Sequence, residues 1–420
     1  MIEKRQPVAV KEAVERVMKY AKPGTQEVVT IEESYGRYLA EDLIATHNVP
    51  PFDRSPLDGF AIIAEDTIEA NSHNPIELEV VDCIGAGAVS KSLERGQAVR
   101  IMTGAQMPEG SNAVIMLELT KEVVKNDKTY VVIKRRLHPG DNISFEGEDT
   151  QIGALLAKKG DIINPGIKAL LATFGYSRVH VAKKPIVGLF ATGTELLDVN
   201  EELVPGKIRN SNAHMITAQI ERVGAIPKYF GKLADDFEAC HEAVKEAIDK
   251  VDILITTGGV SVGDYDYLPA IYDKLGATVL FNKIAMRPGS VTTVAQKDGK
   301  LLFGLSGNPS ACYVGFELYA RPVIRTMMYS SMPHLKNTKA VLQVDYPKPN
   351  PFTRFVRSAL SYDNGMITIQ PSGFDKSNAV SSLAKANALM VLPGGTRGYE
   401  KGAIVDVLLL EDNEGSEWPW

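Results

Sequence analysis

Residues 251–267 read VDILITTGGVSVGDYDY: an apolar run, a glycine pair, a second glycine turn, then two aspartates separated by one tyrosine. A short apolar run stopped by glycine is the pattern of a strand buried on both faces of a parallel sheet. Its surroundings repeat the design. PIVGLFA (185–191) is a second such run, and SNAHMITAQIERVG (211–224) and DDFEACHEAVKEAIDK (235–250) carry helical spacing between the two strands. This alternation across 185–328 predicts an α/β domain with a mostly parallel sheet. VTTVAQKDGKLLFGL (291–305) adds two strands about an Asp-Gly turn, and GNPSACYVGFELYARPVIRTMM (307–328) reads as a turn feeding a helix.

Outward from this centre the texture changes twice. Between about 48 and 141 the chain breaks into short strand-like runs, GFAIIA, IELEVVD, AVRIM, NAVIML and KTYVVIK, separated by Gly, Pro, Asn and Asp. After residue 334 come KAVLQVDY, FTRFVRSALSYDNGMITIQP, NALMVLP and GAIVDVLLL, all strand-like. Val10, Ala13, Val14, Val17, Met18 and Ala21 predict an amphipathic helix that KPG (22–24) stops. The expected architecture is therefore multidomain. Residues 1–47 with 142–180 form an extended mixed domain, 48–141 an inserted β-rich domain, 181–330 the α/β domain, and 335–412 a small β-barrel-like domain.

Composition narrows the function classes. The chain has 46 Lys and Arg against 52 Asp and Glu, a net charge of -6, so it lacks the basic footprint of a nucleic-acid binder. Cys83, Cys240 and Cys312 have no Cys-x-x-Cys spacing, which suggests neither a zinc knuckle nor a disulfide framework. The charged start MIEKRQPVAVKEAVERV carries no signal-type apolar core, and no apolar run is long enough to span a bilayer. Small-molecule chemistry in the cytoplasm is the expectation, with neither nucleic acid nor membrane as partner.

In an open α/β sheet, ligands bind beyond the carboxyl ends of the strands. Three glycine loops belong there: ATGTEL (191–196), TTGGVSVGDYD (256–266) and GLSGNPSA (304–311). The acids Glu195, Asp264 and Asp266 close two of them, and Asp235 and Asp236 follow another strand-like run. Converging carboxylates and backbone amides suit a hydrated Mg²⁺ holding phosphate, although an acid before a helix is also a common cap. Lys283 and Arg287, with the turn RPGS (287–290), could hold an anion beside these loops. SPLDGF (55–60) and RIMTGAQMPEGSNAVIMLE (100–118) stand out in the inserted domain, though Asp58 before Gly59, MTGA and MPEG could each be simple turns. GAGAVS (85–90) reads as a turn, since it lacks the third glycine of a dinucleotide loop. There is no P-loop, no His-Glu-x-x-His and no Gly-x-Ser-x-Gly. From the residues alone the reading is a magnesium-dependent, phosphate-handling α/β enzyme.

SPLDGFA, RIMTGAQMPEGSNAVIMLE, ATGTEL, TTGGVSVGDYDY, MRPG and GNPSA occur in one order over nearly the whole chain. In them the sequence closely resembles the molybdopterin molybdenumtransferases, the bacterial MoeA type and the gephyrin E domain. The resemblance implies insertion of molybdate into adenylylated molybdopterin, with Mg²⁺-dependent hydrolysis of the adenylate to release AMP and molybdenum cofactor. It implies catalytic roles for Asp58, Thr103, Glu195 and Asp266, and metal binding by Glu195, Asp266 and one of Asp235 or Asp236. Substrate would be bound by Gly258, Gly259, Ser261, Gly263, Asp264, Gly307, Asn308, Pro309 and Ser310. Molybdate would meet Lys283, Arg287, Arg357 and Ser377. An elongated homodimer of four-domain subunits is implied, with each active site between the α/β domain of one subunit and the C-terminal domain of the other. A molybdopterin adenylyltransferase is the implied partner enzyme. The chain departs from the family where KPGKP is often found and it has RPGSV (287–291), and where PGNP is often found and it has SGNP (306–309). A lysine is thus missing at Ser290.

Overall fold

The computed structural model describes residues 6–233, 236–259, 268–349, 351–363, 365–410 and 415–416. The chain forms two compact bodies, one of residues 42–158 with 166–177 and one of residues 1–41, 159–165 and 178–420. The strand Gln26–Thr30 pairs antiparallel with Arg178–Ala182, so the chain leaves the larger body and returns beside its point of departure.

The smaller body is built on six strands, β1 (Gly59–Ile62), β2 (Ile76–Ile84), β3 (Gln97–Ile101), β4 (Ala113–Met116), β5 (Thr120–Lys125) and β6 (Lys128–Ile133), in the order β4-β1-β3-β2-β6-β5. Successive residues of a strand face opposite sides of a sheet. Phe60, Ile62, Ala98 and Ile115 accordingly enter one core, while Ala61, Val99, Ile101 and Val114 enter another. That is why GFAIIA and AVRIM are continuously apolar rather than alternating. Residues 85–90 form a turn after β2, with Gly87 at φ 86°.

In the larger body β7 (Ile186–Thr192), β8 (Ile226–Leu233), β9 (Ile253–Thr257), β10 (Thr278–Phe281), β11 (Thr293–Lys297) and β12 (Lys300–Leu305) form a sheet in the order β8-β7-β9-β12-β11-β10. The first four strands are mutually parallel and the last two antiparallel. Asp298 and Gly299, both at positive φ, make the tight turn between β11 and β12. Leu189, Ile255 and Phe303 pack with the helices α1 (Val10–Met18) and α2 (Ser211–Arg222). Phe190, Leu254 and Leu302 face the other way, onto α3 (Phe237–Asp249) and α4 (Leu268–Lys274). Helices on both faces explain why β9 is buried at all five positions.

After β12 come α5 (Pro309–Gly315), a π-helical stretch over Phe316–Ala320, and α6 (Arg321–Met327). Pro322 lacks the N–H that a regular α-turn needs, and the backbone widens just before it. Five further strands, β13 (Asn337–Leu342), β14 (Thr353–Asp363), β15 (Met366–Pro371), β16 (Ala388–Leu392) and β17 (Ile404–Leu409), run β14-β15-β13-β17-β16, and the short strand Met286–Arg287 pairs parallel with the start of β14. The long strand β14 pairs with β15 through its second half and with β16 through its first, closing a five-stranded barrel around Leu342, Val356, Ile369, Met390 and Val407. The molecule is thus α/β and β multidomain, with a small C-terminal barrel. All three cysteines are free. Among the described residues no helix is long and apolar enough to cross a membrane.

Between α6 and the barrel, His334 is buried, and burial reinforced by the Arg321 charge holds its pKa down to about 4. The folded protein keeps this ring neutral, whereas the unfolded chain protonates it near pH 6.5. Its contribution to stability is therefore complete above that pH and lost as pH falls from about 6.5 towards 4, roughly 3 kcal/mol in all. Urea denaturation between pH 7 and 4.5 should show this slope in the native chain and a flatter one in His334→Gln; parallel curves would refute the assignment.

Candidate functional site

Because β8, β7, β9 and β12 are parallel neighbours, their carboxyl ends share one edge of the sheet. The loops after β7, β9 and β12 are bonded together there. Thr192 Oγ1 donates to the Thr257 carbonyl at 3.1 Å, and the Gly258 N–H donates to the Leu305 carbonyl at 2.9 Å. A Cβ at Gly258 would lie 2.5 Å from Thr192 Oγ1, and its φ of 90° is a left-handed conformation, so only glycine permits this approach. Asn212, on α2, donates to the Gly307 carbonyl at 2.8 Å and pins the third loop. Asn212 did not stand out in the sequence, because a polar residue in a helix pattern carries no sign of which loop it will hold.

Glu195 is exposed in the loop after β7 and folds its carboxylate over Gly193, where a Cβ would come within 2.4 Å of Oε2. Asp236 caps α3, accepting from the Ala239 N–H at 2.8 Å. The capping alternative therefore applies to it. Gly259 follows Gly258 at φ 67°. Asp235, Ser261, Gly263, Asp264 and Asp266 lie outside the described residues.

A cavity of about 610 Å³ opens beside this edge, between the turn 287–291, the start of α5 and the barrel. Arg287, Ser290, Asn308, Arg354, Arg357 and Ser377 line it. The Arg287–Pro288 bond is cis. Gly307 and Pro309 flank Asn308, whereas Lys283 is not among the lining residues; its carbonyl accepts from Val8 at 3.0 Å. Ser310 is held to the barrel, its N–H donating to Ser377 at 3.0 Å and its hydroxyl to the Ala379 carbonyl at 2.6 Å. Within the chain, Arg287 of the α/β region therefore lines the same cavity as Arg357 and Ser377. The reason is local, since residues 374–379 are tied to the first turn of α5.

Arg357 is buried at the barrel wall and pairs there with the half-buried Asp375, a pairing invisible in the sequence. Burial is the largest influence on each. It lowers the Arg357 pKa, whereas Asp375 is nevertheless held below the ordinary carboxylate range because Tyr346, Arg357 and Lys348 surround it.

In the smaller body, SPLDGF and MTGA are zipped together. The Gly104 N–H donates to Ser55 at 2.8 Å, and the Ser55 N–H donates to Ala105 at 3.0 Å. Asp58 Oδ1 accepts from the Thr103 N–H at 2.7 Å and from its hydroxyl at 2.8 Å. These are more than separate turns. The Thr103 amide, then its hydroxyl, hold the Asp58 carboxyl below its usual range. Asp58 is therefore an ionised orienting group at neutral pH and a weak base.

Three family models match the chain: the MoeA N-terminal region (domain I and II) over 8–175, the probable molybdopterin binding domain over 188–326, and the MoeA C-terminal region (domain IV) over 339–410. The molybdopterin molybdenumtransferase of Bacillus subtilis (strain 168) is 60% identical, over 100% of this chain and 98% of its own. That of Staphylococcus epidermidis is 50% identical over 99% of both chains. The crystal structure of a molybdopterin biosynthesis moeA protein from Pyrococcus horikoshii OT3 matches with a TM-score of 0.81 at 31% identity, covering 96% of this chain and 100% of the other.

Proposed function

The chain belongs to the family of MoeA-type molybdopterin molybdenumtransferases, and from that premise we propose that it inserts molybdenum from molybdate into adenylylated molybdopterin, hydrolysing the adenylate and releasing AMP and molybdenum cofactor. The end-to-end match to relatives of that name carries the reading. The cavity supports it: a tetrahedral dianion needs cations and hydroxyls in a confined space, and Arg287, Ser290 and Ser377 offer them. Lys283, Gly307, Asn308, Pro309 and Ser310 complete the proposed substrate contacts, with Gly258, Gly259, Ser261, Gly263 and Asp264 on the phosphate side. A lone molybdopterin adenylyltransferase is disfavoured because the N-terminal and C-terminal MoeA regions are both present.

Mg²⁺ fits the donor chemistry of the sheet edge. Adjacent parallel strands lead to Glu195 and to the acids at 235–236 and 264–266, all hard carboxylate oxygens. Among the described residues no group of three such acids is assembled, and Asp266 is proposed to complete the set. Bound there, Mg²⁺ supplies charge neutralisation to the adenylate. The chain's own part is to orient: Gly258 and Gly259 bring the backbone close, and Asp58 holds Thr103. A homodimer, cytoplasmic action and an upstream adenylyltransferase partner belong to the same proposal.

Purified protein given adenylylated molybdopterin, Mg²⁺ and molybdate should release AMP and reconstitute an apo-molybdoenzyme. AMP release that does not depend on molybdate would remove the proposal. Asp266→Ala should lose turnover about a hundredfold or more while unfolding at the native midpoint; retained turnover would take Asp266 out of the metal set.

A further inference from the structure

We infer that the larger body carries a second ligand site, a cavity at the amino edge of the sheet, opposite the glycine loops, that takes a compact organic phosphate. The inference stands apart from the molybdate reading and does not rest on it.

The cavity measures about 330 Å³, the scale of a small-ligand site, and lies wholly in the larger body. Its place follows from the parallel sheet. Ile186 opens β7, Lys300 opens β12, and Val251 and Asp252 immediately precede β9, so the cavity sits at the starts of the strands whose far ends carry the glycine loops. The seven residues of β7 separate the two edges by roughly 20 Å, at about 3.3 Å per residue.

The lining is cationic. Lys183, Lys184, Lys250 and Lys300 stand against Asp249 and Asp252. Asp252 turns Oδ2 onto the Ile186 N–H at 2.7 Å. Lys300 Nζ donates to the Ile248 carbonyl at 2.7 Å, which offsets the negative end of α3 beside the cavity. Lys250 holds Glu246 at 3.3 Å through an exposed pair of the kind that contributes little, so it can turn to a ligand. Lys183 and Lys184 make no side-chain hydrogen bond or ion pair among the described residues. Their backbone is nonetheless fixed: the Lys183 N–H donates to the Thr25 carbonyl at 2.9 Å, and the Pro185 carbonyl accepts from the Ile226 N–H at 2.9 Å. Two ammonium groups held at one cavity without a counter-ion repel each other, and a dianion bound between them removes that repulsion.

The rest of the lining has a different chemistry. Val251 is buried, and Ile186 and Met327 are half-buried. Apolar carbon beside free cations suits a phosphate carried on a compact apolar body, because bare phosphate leaves that carbon in water.

Calorimetric titration of the full chain with phenyl phosphate, and separately with inorganic phosphate, tests the site. Native protein and Arg287→Ala should bind phenyl phosphate equally, because Arg287 lines the other cavity. Lys183→Ala/Lys184→Ala should bind it about tenfold or more weakly, whereas Lys183→Arg/Lys184→Arg keeps both charges and should stay within about threefold of native protein. Inorganic phosphate should bind about fivefold or more weakly than the ester, since it buries no apolar carbon. Native protein that binds no phenyl phosphate, or a double alanine variant that binds it as well as native protein does, would overturn the inference. A loss confined to Arg287→Ala would place the ester in the other cavity and overturn it too. Inorganic phosphate bound as tightly as the ester would overturn it as well, because the apolar lining would then contribute nothing. Failure of the molybdate reading changes none of these outcomes.

Discussion

Glu317→Ala should lower the unfolding free energy of the larger body by about 3–5 kcal/mol, the cost of removing one partner from a buried ion pair. Glu317 lies in the π-helical stretch with its side chain fully buried. It accepts from Gln219 Nε2 at 2.6 Å and from Arg222 Nη2, and it sits 4.0 Å from Arg321 Nε. Arg321 is 2% exposed, and burial, the dominant influence, pulls its pKa down to about 10 despite the Glu317 charge. Deleting the carboxylate leaves that buried cation without this counter-ion. Chemical denaturation checks the value. A loss below about 1 kcal/mol would mean that water or a neighbouring group replaces the carboxylate at no cost.

Asp58→Ala should reduce kcat/KM for the proposed reaction by about a hundredfold or more, with the unfolding midpoint unchanged. Asp58 is an exposed group whose two bonds to Thr103 order a loop tip rather than a core. Thr103→Val removes the hydroxyl bond and keeps the amide bond, so its loss should be smaller than that of Asp58→Ala. Equal activity of native protein and Asp58→Ala would remove the SPLDGF–MTGA pair from the functional machinery and leave it a structural clasp. AMP release at saturating and limiting substrate separates the two outcomes.

Much of this protein was written locally. VDILITTGG dictated a doubly covered parallel strand because an uninterrupted apolar run can be satisfied only by burial on both sides. The Asp-Gly pair at 298–299 dictated a hairpin, since its residues tolerate positive φ. The glycine loops marked the carboxyl edge of the sheet, and the capping alternative kept open for Asp236 described a helix start. Each of these depends on a few neighbouring residues, which is the range over which a sequence speaks directly.

What the sequence left open were meetings between distant residues. SPLDGF and MTGA looked like separate turns until the zipper between them joined Asp58 to Thr103 across 45 positions. The placing of Arg357 and Arg287 on one cavity was decided by the barrel closing on β14 and by the segment bonded to Ser310. Arg357 was named only through the family resemblance; its bonds to Asp375 and to the Phe374 and Lys376 carbonyls were set by folding. By itself the sequence determined the α/β core, the β domains around it and the chemistry of the loops, because backbone preference and burial pattern are local. The tertiary structure alone decided which of those charged groups line the cavity and which pair with each other, because the direction of a hydrogen bond is set by the partner that folding brings to it.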